Sequence, residues 1–137
     1  VLYNSACCVG WAVVLAATVK SLVENVPNVG FVEALASVYE SEGVGTVLAY
    51  TQSAAMMEIV HSAVGFVRSP LLVTAMQVMS RIVALVGVVY SPEAKVQWGA
   101  GLMILSWSMV EVPRYLFYVF AILTGDATKK TPYALFW

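Results

Sequence analysis

The chain has few charged residues and few residues that could bind a metal. Lysine, arginine, aspartate and glutamate make up 11% of its 137 residues, against about 25% in a typical soluble domain. The net charge is −1 and no tract is strongly basic, so neither nucleic-acid binding nor capture of lipid head groups by a polybasic segment is indicated. Cys7 and Cys8 are adjacent and there is a single histidine. We therefore expect no disulfide framework and no metal site, and interpret the cysteines as packing residues.

Hydrophobic residues dominate what remains. They make up 61% of the chain, the mean hydropathy is +0.83, and the apolar residues form runs of about 20, the length that crosses a hydrocarbon core of about 30 Å. The sequence predicts an all-α, polytopic transmembrane helix bundle. Four spans are expected at approximately 4–23, 44–67, 71–90 and 99–123, and a fifth starting near Tyr133.

The two ends and the connections complete the predicted layout. The chain starts at Val1 and stops inside the fifth apolar run, so we expect one membrane domain, 1–137, truncated at both ends. Between the first two spans, Phe31, Leu35 and Val38 recur at helical spacing, which favours a short helix in the membrane interface. Counting positive charges puts the N-terminus in the cytoplasm, on the side of Arg68, Lys129 and Lys130.

Four charged residues interrupt the predicted spans near their centres: Glu58, Arg81, Glu111 and Arg114. An Arg, Lys or Asp at mid-span costs roughly 2.5–3.5 kcal/mol on insertion scales, so such residues normally face the bundle interior and mark a functional path. Helical spacing extends each charge into a polar stripe. The stripe of the second span comprises Gln52, Ala55, Glu58, Ser62 and Gly65. That of the third comprises Thr74, Gln77, Arg81 and Ala84. That of the fourth comprises Ser108, Glu111, Arg114 or Tyr115, and Tyr118. We expect the three stripes to converge around an intramembrane pocket.

A purely structural interpretation stays open. Glu58 would then pair with Arg81, and Glu111 with Arg114, to hold the helices together. His61, beside the Glu58 carboxylate, is interpreted as hydrogen-bonded packing. Tyrosines near the span ends fit an interfacial aromatic belt; they are Tyr3, Tyr50, Tyr90 and Tyr133.

The stretch from His61 to Ser69 has the outline of the cysteine-phosphatase loop, His-Cys-x5-Arg-Ser. That chemistry needs a thiolate nucleophile, whereas this chain has Ser62 at the nucleophile position. The loop would also have to cradle a phosphate inside a hydrophobic helix. Phosphatase activity is therefore not expected.

Six strings occur in order along the chain: Leu2–Asn4, Gly10–Trp11, Glu58–His61, Gly65–Val67, Gln77–Arg81 and Glu111–Tyr118. Together they resemble the 3-hydroxyacyl-CoA dehydratases of very-long-chain fatty acid elongation, a family also called protein-tyrosine-phosphatase-like, and the similarity extends in the same order from Leu2 to Trp137. The resemblance implies a protein of six spans in the endoplasmic reticulum membrane that acts as a carbon–oxygen lyase. It would convert (3R)-3-hydroxyacyl-CoA to trans-2-enoyl-CoA.

The resemblance also implies roles for particular residues. Glu58, Gln77, Arg81 and Arg114 match family positions that matter for activity or for the pocket, and Glu111 belongs to the same polar stripes. The family's catalytic tyrosine and glutamate are expected beyond Trp137, so no catalytic residue is assigned here and the fragment is expected to be inactive alone. Tyr133 is not that tyrosine, and Pro132 replaces the usual arginine before it.

The implied partners are the long-chain 3-hydroxyacyl-CoA substrate, membrane lipid and other fatty acid elongation enzymes, and no metal or redox cofactor is implied. Two other classes remain open from the residues. A proton-coupled transporter would also place charges at mid-span, and a non-catalytic membrane scaffold would bind acyl chains or proteins.

Overall fold

In a computed structural model, residues 1–41, 43–65 and 71–124 are described, and every regular element in these ranges is helical. This confirms the all-α fold class. The predicted fifth span near Tyr133 lies outside the described residues, as do Arg68, Lys129 and Lys130. The helices are α1 (Leu2–Val29), α2 (Phe31–Ser37), α3 (Val44–Ala54), α4 (Met56–Ala63), α5 (Leu71–Tyr90), α6 (Pro92–Lys95) and α7 (Trp98–Thr124), and a 3-10 turn covers Val38–Glu40.

The first, third and fourth predicted spans each correspond to one helix. The predicted third span, 71–90, coincides with α5, and the fourth, 99–123, differs from α7 by one residue at each end. The first predicted span, 4–23, lies within α1, which continues to Val29 with Pro27 in its last turn. Gly30, at φ 90°, ends the helix and donates its N–H to the Val26 carbonyl at 3.0 Å.

The second predicted span is not one continuous helix. It is divided at Ala55 into α3 and α4. The amide of Glu58 donates to the Ala55 carbonyl at 3.0 Å, and the Ala55 amide donates to Gln52 at 3.2 Å. These bonds span three residues instead of four, so the turn is tightened in the manner of a 3-10 helix. The Ala54 carbonyl is thereby released from the helical ladder and becomes available to another helix.

Helices α1 and α7 form the largest packing surface, and α2 and α3 also pack against α1. The core side chains come from α1, the 3-10 turn, α3, α5 and α7; they include Cys7, Trp11, Val14, Val38, Val44, Leu48, Leu85, Ile104 and Tyr115. Glycines allow close approach at two places. A Cβ at Gly101 would lie 2.8 Å from the carbonyl carbon of Leu35, and one at Gly10 would lie 2.8 Å from the hydroxyl of Thr51.

The segment predicted as an interfacial helix does form α2 and the following 3-10 turn. Leu35 and Val38 are buried in the bundle, whereas Phe31 is more than half exposed. The regular spacing of the three residues therefore reflects helical structure, but two of the three pack against the protein.

By length and composition, one helix in the described ranges, α1, is apolar enough to cross a membrane; 75–90 forms a shorter apolar stretch. Helix α7 has 27 residues but carries Glu111 and Arg114, and α3 and α4 have 11 and 8 residues. The predicted number of spans therefore stays a prediction.

Candidate active site

The four mid-helix charges form one connected chain of ion pairs across α4, α5 and α7. Arg81 of α5 contacts Glu111 of α7 through its guanidinium Nη1. Glu111 also contacts Arg114, one turn along the same helix, at 2.6 Å. Arg114 in turn donates to Glu58 of α4 at 2.9 Å. Two positive and two negative groups thus alternate, which is the arrangement that makes buried charge tolerable.

The carboxylates of this chain are more deeply buried than the guanidinium groups. The Glu111 side chain is 1% exposed and that of Glu58 is 17% exposed, whereas Arg81 and Arg114 are 26% and 27% exposed. The two cations are therefore the more accessible members. A ligand reaching this cluster would meet positive charge and N–H donors before it met a carboxylate.

Aromatic side chains surround the cluster. The Arg81 guanidinium carbon lies 5.7 Å from the centroid of the Trp107 ring, and that of Arg114 lies 4.8 Å from the Tyr115 ring. These distances are within the range of cation–π attraction. The fully buried Tyr115 also donates its hydroxyl to Glu58. Glu58 is therefore held by Arg114 and Tyr115 together.

The position of Tyr3 near a span end had suggested an aromatic belt. In the structure this residue of α1 belongs to the interior of the bundle. Its hydroxyl donates to the Ala54 carbonyl at 3.0 Å, the carbonyl released by the tightened turn at Ala55. Its ring meets His61 edge-on, with the centroids 4.9 Å apart. The hydroxyl of Tyr3 thus gives a hydrogen-bond donor to the Ala54 carbonyl, which would otherwise be unsatisfied. Tyr50 and Tyr90 are exposed, as a belt requires.

The structure corrects one predicted pairing and separates one predicted residue from the cluster. Glu58 contacts Arg114 and Tyr115, and Arg81 contacts Glu111, so the predicted pair of Glu58 with Arg81 is wrong. The predicted contact between Glu111 and Arg114 is confirmed. The side chain of Gln77 is exposed and lies one helical turn before Arg81.

Sequence reasoning gave too little weight to Tyr3 and Tyr115. On the α7 stripe Tyr115 was an alternative to Arg114, although its place four residues after Glu111 was a usable signal. Tyr3 belonged to the family-like string Leu2–Asn4 and to the predicted aromatic belt, and neither indicated its contact with Ala54. The buried Gln52 has neither amide atom hydrogen-bonded within the part of the chain that is described.

Comparison with known proteins decides the family. The model of the family described as "Protein tyrosine phosphatase-like protein, PTPLA" matches residues 52–137, which include all four charges. The chain belongs to the PTPLA family. No solved structure matches it.

Relatives of this PTPLA-family chain carry a common name. It is 36% identical over 124 residues to "Very-long-chain (3R)-3-hydroxyacyl-CoA dehydratase hpo-8" of Caenorhabditis elegans, covering 90% of this chain and 53% of the relative. It is 35% identical over 127 residues to the dehydratase PASTICCINO 2 of Arabidopsis thaliana, covering 92% and 53%. It is 30% identical over 138 residues to dehydratase 2 of Homo sapiens, covering 100% and 49%. The chain thus spans about half the length of the curated relatives it matches.

The phosphatase-like string of this PTPLA-family chain does not have a phosphatase geometry where it is described. His61 and Ser62 lie in the regular helix α4, and Ser62 is buried. A phosphate-binding loop instead presents several backbone N–H groups to one anion, and helical N–H groups at these positions are directed along the helix axis. The remainder of the string, 66–69, lies outside the described residues.

Proposed function

We propose that this chain is the charge-bearing part of a very-long-chain (3R)-3-hydroxyacyl-CoA dehydratase of the endoplasmic reticulum membrane, acting in fatty acid elongation. The observation that carries the proposal is the shared name of relatives that match nearly the whole chain at 30–36% identity. The buried chain of alternating charges supports it, because ionisable groups inside an apolar membrane bundle typically mark a ligand path or a reaction site.

The reaction is an elimination in the acyl group of a thioester. A base removes a proton from C2. The electron pair of the broken C2–hydrogen bond forms the C2–C3 double bond, and the C3–oxygen bond breaks. An acid protonates the departing hydroxyl, which leaves as water. Negative charge develops on the thioester oxygen during proton removal, and cations or N–H donors placed beforehand would stabilise it.

Arg81 and Arg114 fit this electrostatic role in the proposal. They are the more accessible members of the cluster, and each is held by a carboxylate, which limits reorganisation when the substrate arrives. Glu58 and Glu111 would orient the guanidiniums. Gln77 is exposed one helical turn from Arg81, where it could contact the ligand. Proton transfer itself is assigned, by the resemblance, to a tyrosine and a glutamate beyond Trp137.

A membrane location is proposed from the outer surface of the helices. Large apolar side chains are exposed along α1, α5 and α7; they include Val9, Val13, Val23, Met76, Val83, Met109, Val110, Phe120 and Leu123. In water such a surface would be an aggregation hazard, whereas in lipid it is the expected exterior. We propose that the chain is multi-pass and that the bundle dissolves the acyl chain of the substrate. Other elongation enzymes are the proposed partners.

The two alternatives from the sequence have weaker support. The relatives carry an enzyme name, not that of a transporter or scaffold. In addition, the four charges are already paired with one another, whereas a carrier needs an ion site that fills and empties. A transporter would show solute or proton flux in liposomes that Glu58→Gln abolishes.

The test uses the natural full-length protein in detergent micelles with a long-chain (3R)-3-hydroxyacyl-CoA, and separates substrate from enoyl product by chromatography. Arg81→Met and Arg114→Met should each lower kcat/KM by about 100-fold, the scale expected for loss of one oxyanion-stabilising donor. The control Glu93→Gln removes an exposed charge remote from the cluster and should leave turnover unchanged.

Monodisperse elution and an unaltered far-ultraviolet spectrum would show that each variant folds. Absence of turnover by well-folded full-length protein would refute the proposed activity, and full activity of Arg81→Met would refute the electrostatic role of Arg81. The 137 residues alone should show no turnover, because the expected acid–base pair is not among them.

A further inference from the structure

A second feature, separate from the charge cluster, is a cavity of about 420 Å³ at the start of α3. It is bordered by residues from the 3-10 turn, from α3 and from the end of α5; they are Tyr39, Glu40, Gly43, Gly45, Thr46, Ala49, Tyr50 and Val89. The volume lies within the range of small-molecule sites. None of the four mid-helix charges borders it.

The walls combine two aromatic rings with one carboxylate. Tyr39 and Tyr50 supply the rings, and Glu40 is the only charged side chain among the lining residues that the structure describes. Tyr39 is held in place by close contact with α3, because a Cβ at Gly45 would lie 2.8 Å from its Cζ atom. Aromatic faces next to a carboxylate form a site for an organic cation, above all a quaternary ammonium.

A positive charge lies close to one of these rings. The Lys95 ammonium is 5.9 Å from the centroid of Tyr39, so this ring already accommodates a cation. Glu40 thus borders the cavity, and the oppositely charged Lys95 lies close to one of its aromatic rings. The pair is complementary to a zwitterion, whose cation would face Glu40 and the rings and whose anion would face Lys95.

The cavity lies where lipid head groups are expected under the proposed membrane location. Helix α3 begins there, α5 ends there, and α6 returns beside the 3-10 turn. Tyr50 and Tyr90, which are 77% and 82% exposed, lie at this end of the bundle. Aromatic residues are placed in the same way at a membrane–water interface. Val89 lies about 12 Å along α5 from Arg81 by the rise of the helix, so the two sites are distinct.

We propose that this cavity binds the phosphocholine head group of a membrane lipid. The trimethylammonium contacts Tyr39, Tyr50 and Glu40, and the phosphate pairs with Lys95. The apolar Ala49 and Val89 receive the adjoining glycerol end. This proposal needs the membrane location but not the dehydratase activity, so either can fail without the other.

The experiment counts lipids retained by the purified protein in maltoside micelles, using native mass spectrometry. Dioctanoyl phosphatidylcholine is titrated against dioctanoyl phosphatidylglycerol, which has the phosphate but no cation. The choline lipid should bind at least 10-fold more tightly. Tyr50→Leu and Glu40→Gln should each weaken binding of the phosphatidylcholine by about 10-fold, since loss of a desolvated cation–π or ionic contact costs an affinity of this size. Neither substitution should change binding of the phosphatidylglycerol.

Tyr90→Leu is the matched control, since it removes an exposed tyrosine at the same end that does not line the cavity, and it should not alter retention. Equal retention of the two lipids would overturn the proposal. So would a loss of phosphatidylcholine binding in Tyr90→Leu as large as that in Tyr50→Leu. Free phosphocholine serves as a competitor. If it displaced the lipid at equimolar concentration, a soluble ligand, and not a lipid, would be the occupant.

Discussion

At the scale of single residues, the four charges are not equivalent. Arg114 contacts both carboxylates, Glu58 and Glu111, whereas Arg81 contacts one of the two, Glu111. Each carboxylate also has a second donor, Tyr115 for Glu58 and Arg81 for Glu111. Arg114 is therefore the residue through which α4 is connected electrostatically to α7.

This asymmetry predicts different costs for two similar substitutions. Arg114→Met should lower the free energy of unfolding by about 3–5 kcal/mol, because it leaves a buried carboxylate without its ion pair. Arg81→Met should cost about 1–2 kcal/mol, because Glu111 keeps Arg114. Methionine retains the apolar part of the arginine side chain. Unfolding with sodium dodecyl sulfate in mixed micelles measures both, and equal losses would show that the pairs are not shared as described.

The residues of the site were largely visible in the sequence, but their partners were not. A charge in a long apolar run stands out by itself, so Glu58, Arg81, Glu111 and Arg114 could be selected without a structure. Pairing depends on how each helix is rotated about its axis, and one sequence does not determine that. The predicted partner of Glu58 was wrong for this reason, and only the pair within one helix, Glu111 with Arg114, followed from spacing.

At the scale of elements, apolar run length located most helices well. Leu71–Tyr90 agrees with its prediction because turn residues flank the run on both sides. The division at Ala55 was not foreseeable, since Ala54, Ala55 and Met56 favour a helix. It is associated with a contact made 51 residues away in sequence, the hydroxyl of Tyr3 on the Ala54 carbonyl.

The approach of α2 to α7 gives a prediction at this scale. Gly101→Ala should lower the free energy of unfolding by about 1–3 kcal/mol, because the new methyl group would overlap the Leu35 carbonyl and displace the backbone.

Gly99→Ala in the same helix is the control. A Cβ there meets nothing within 4 Å, so the greater helix propensity of alanine should be neutral or stabilising by up to about 1 kcal/mol. Thermal unfolding of the two variants in micelles compares them. Equal midpoints would contradict the close packing at Gly101.

At the scale of the whole molecule, the exterior is mainly apolar and the charge lies inside and at the ends. Lys95 and Tyr39 bring α6 and the 3-10 turn to one end of the bundle, whereas Tyr3 contacts Ala54 near the other end of α3. If α1, α3 with α4, and α5 each cross the bilayer, Leu2 and Ser91 must be on opposite sides.

Cysteine accessibility tests this arrangement in sealed microsomes. In a background of Cys7→Ala and Cys8→Ala, Leu2→Cys should react with a membrane-impermeant maleimide, because the N-terminal side is predicted to be cytoplasmic. Ser91→Cys should react only after the membrane is permeabilised. Both positions are exposed in the protein, so failure to label reflects the membrane and not burial. Equal labelling of both without permeabilisation would refute the predicted crossings.

The packing of α1 against α7 has a consequence for biosynthesis. The ribosome completes α1 at Val29 and reaches Trp98 only several seconds later, at a translation rate of about 5–20 residues per second. Arg81 likewise emerges before Glu111, its partner. Before Glu111 is made, the nascent chain carries an unneutralised guanidinium; under the proposed membrane location, its early helices would stay in the translocon or beside an insertion chaperone until α7 arrives.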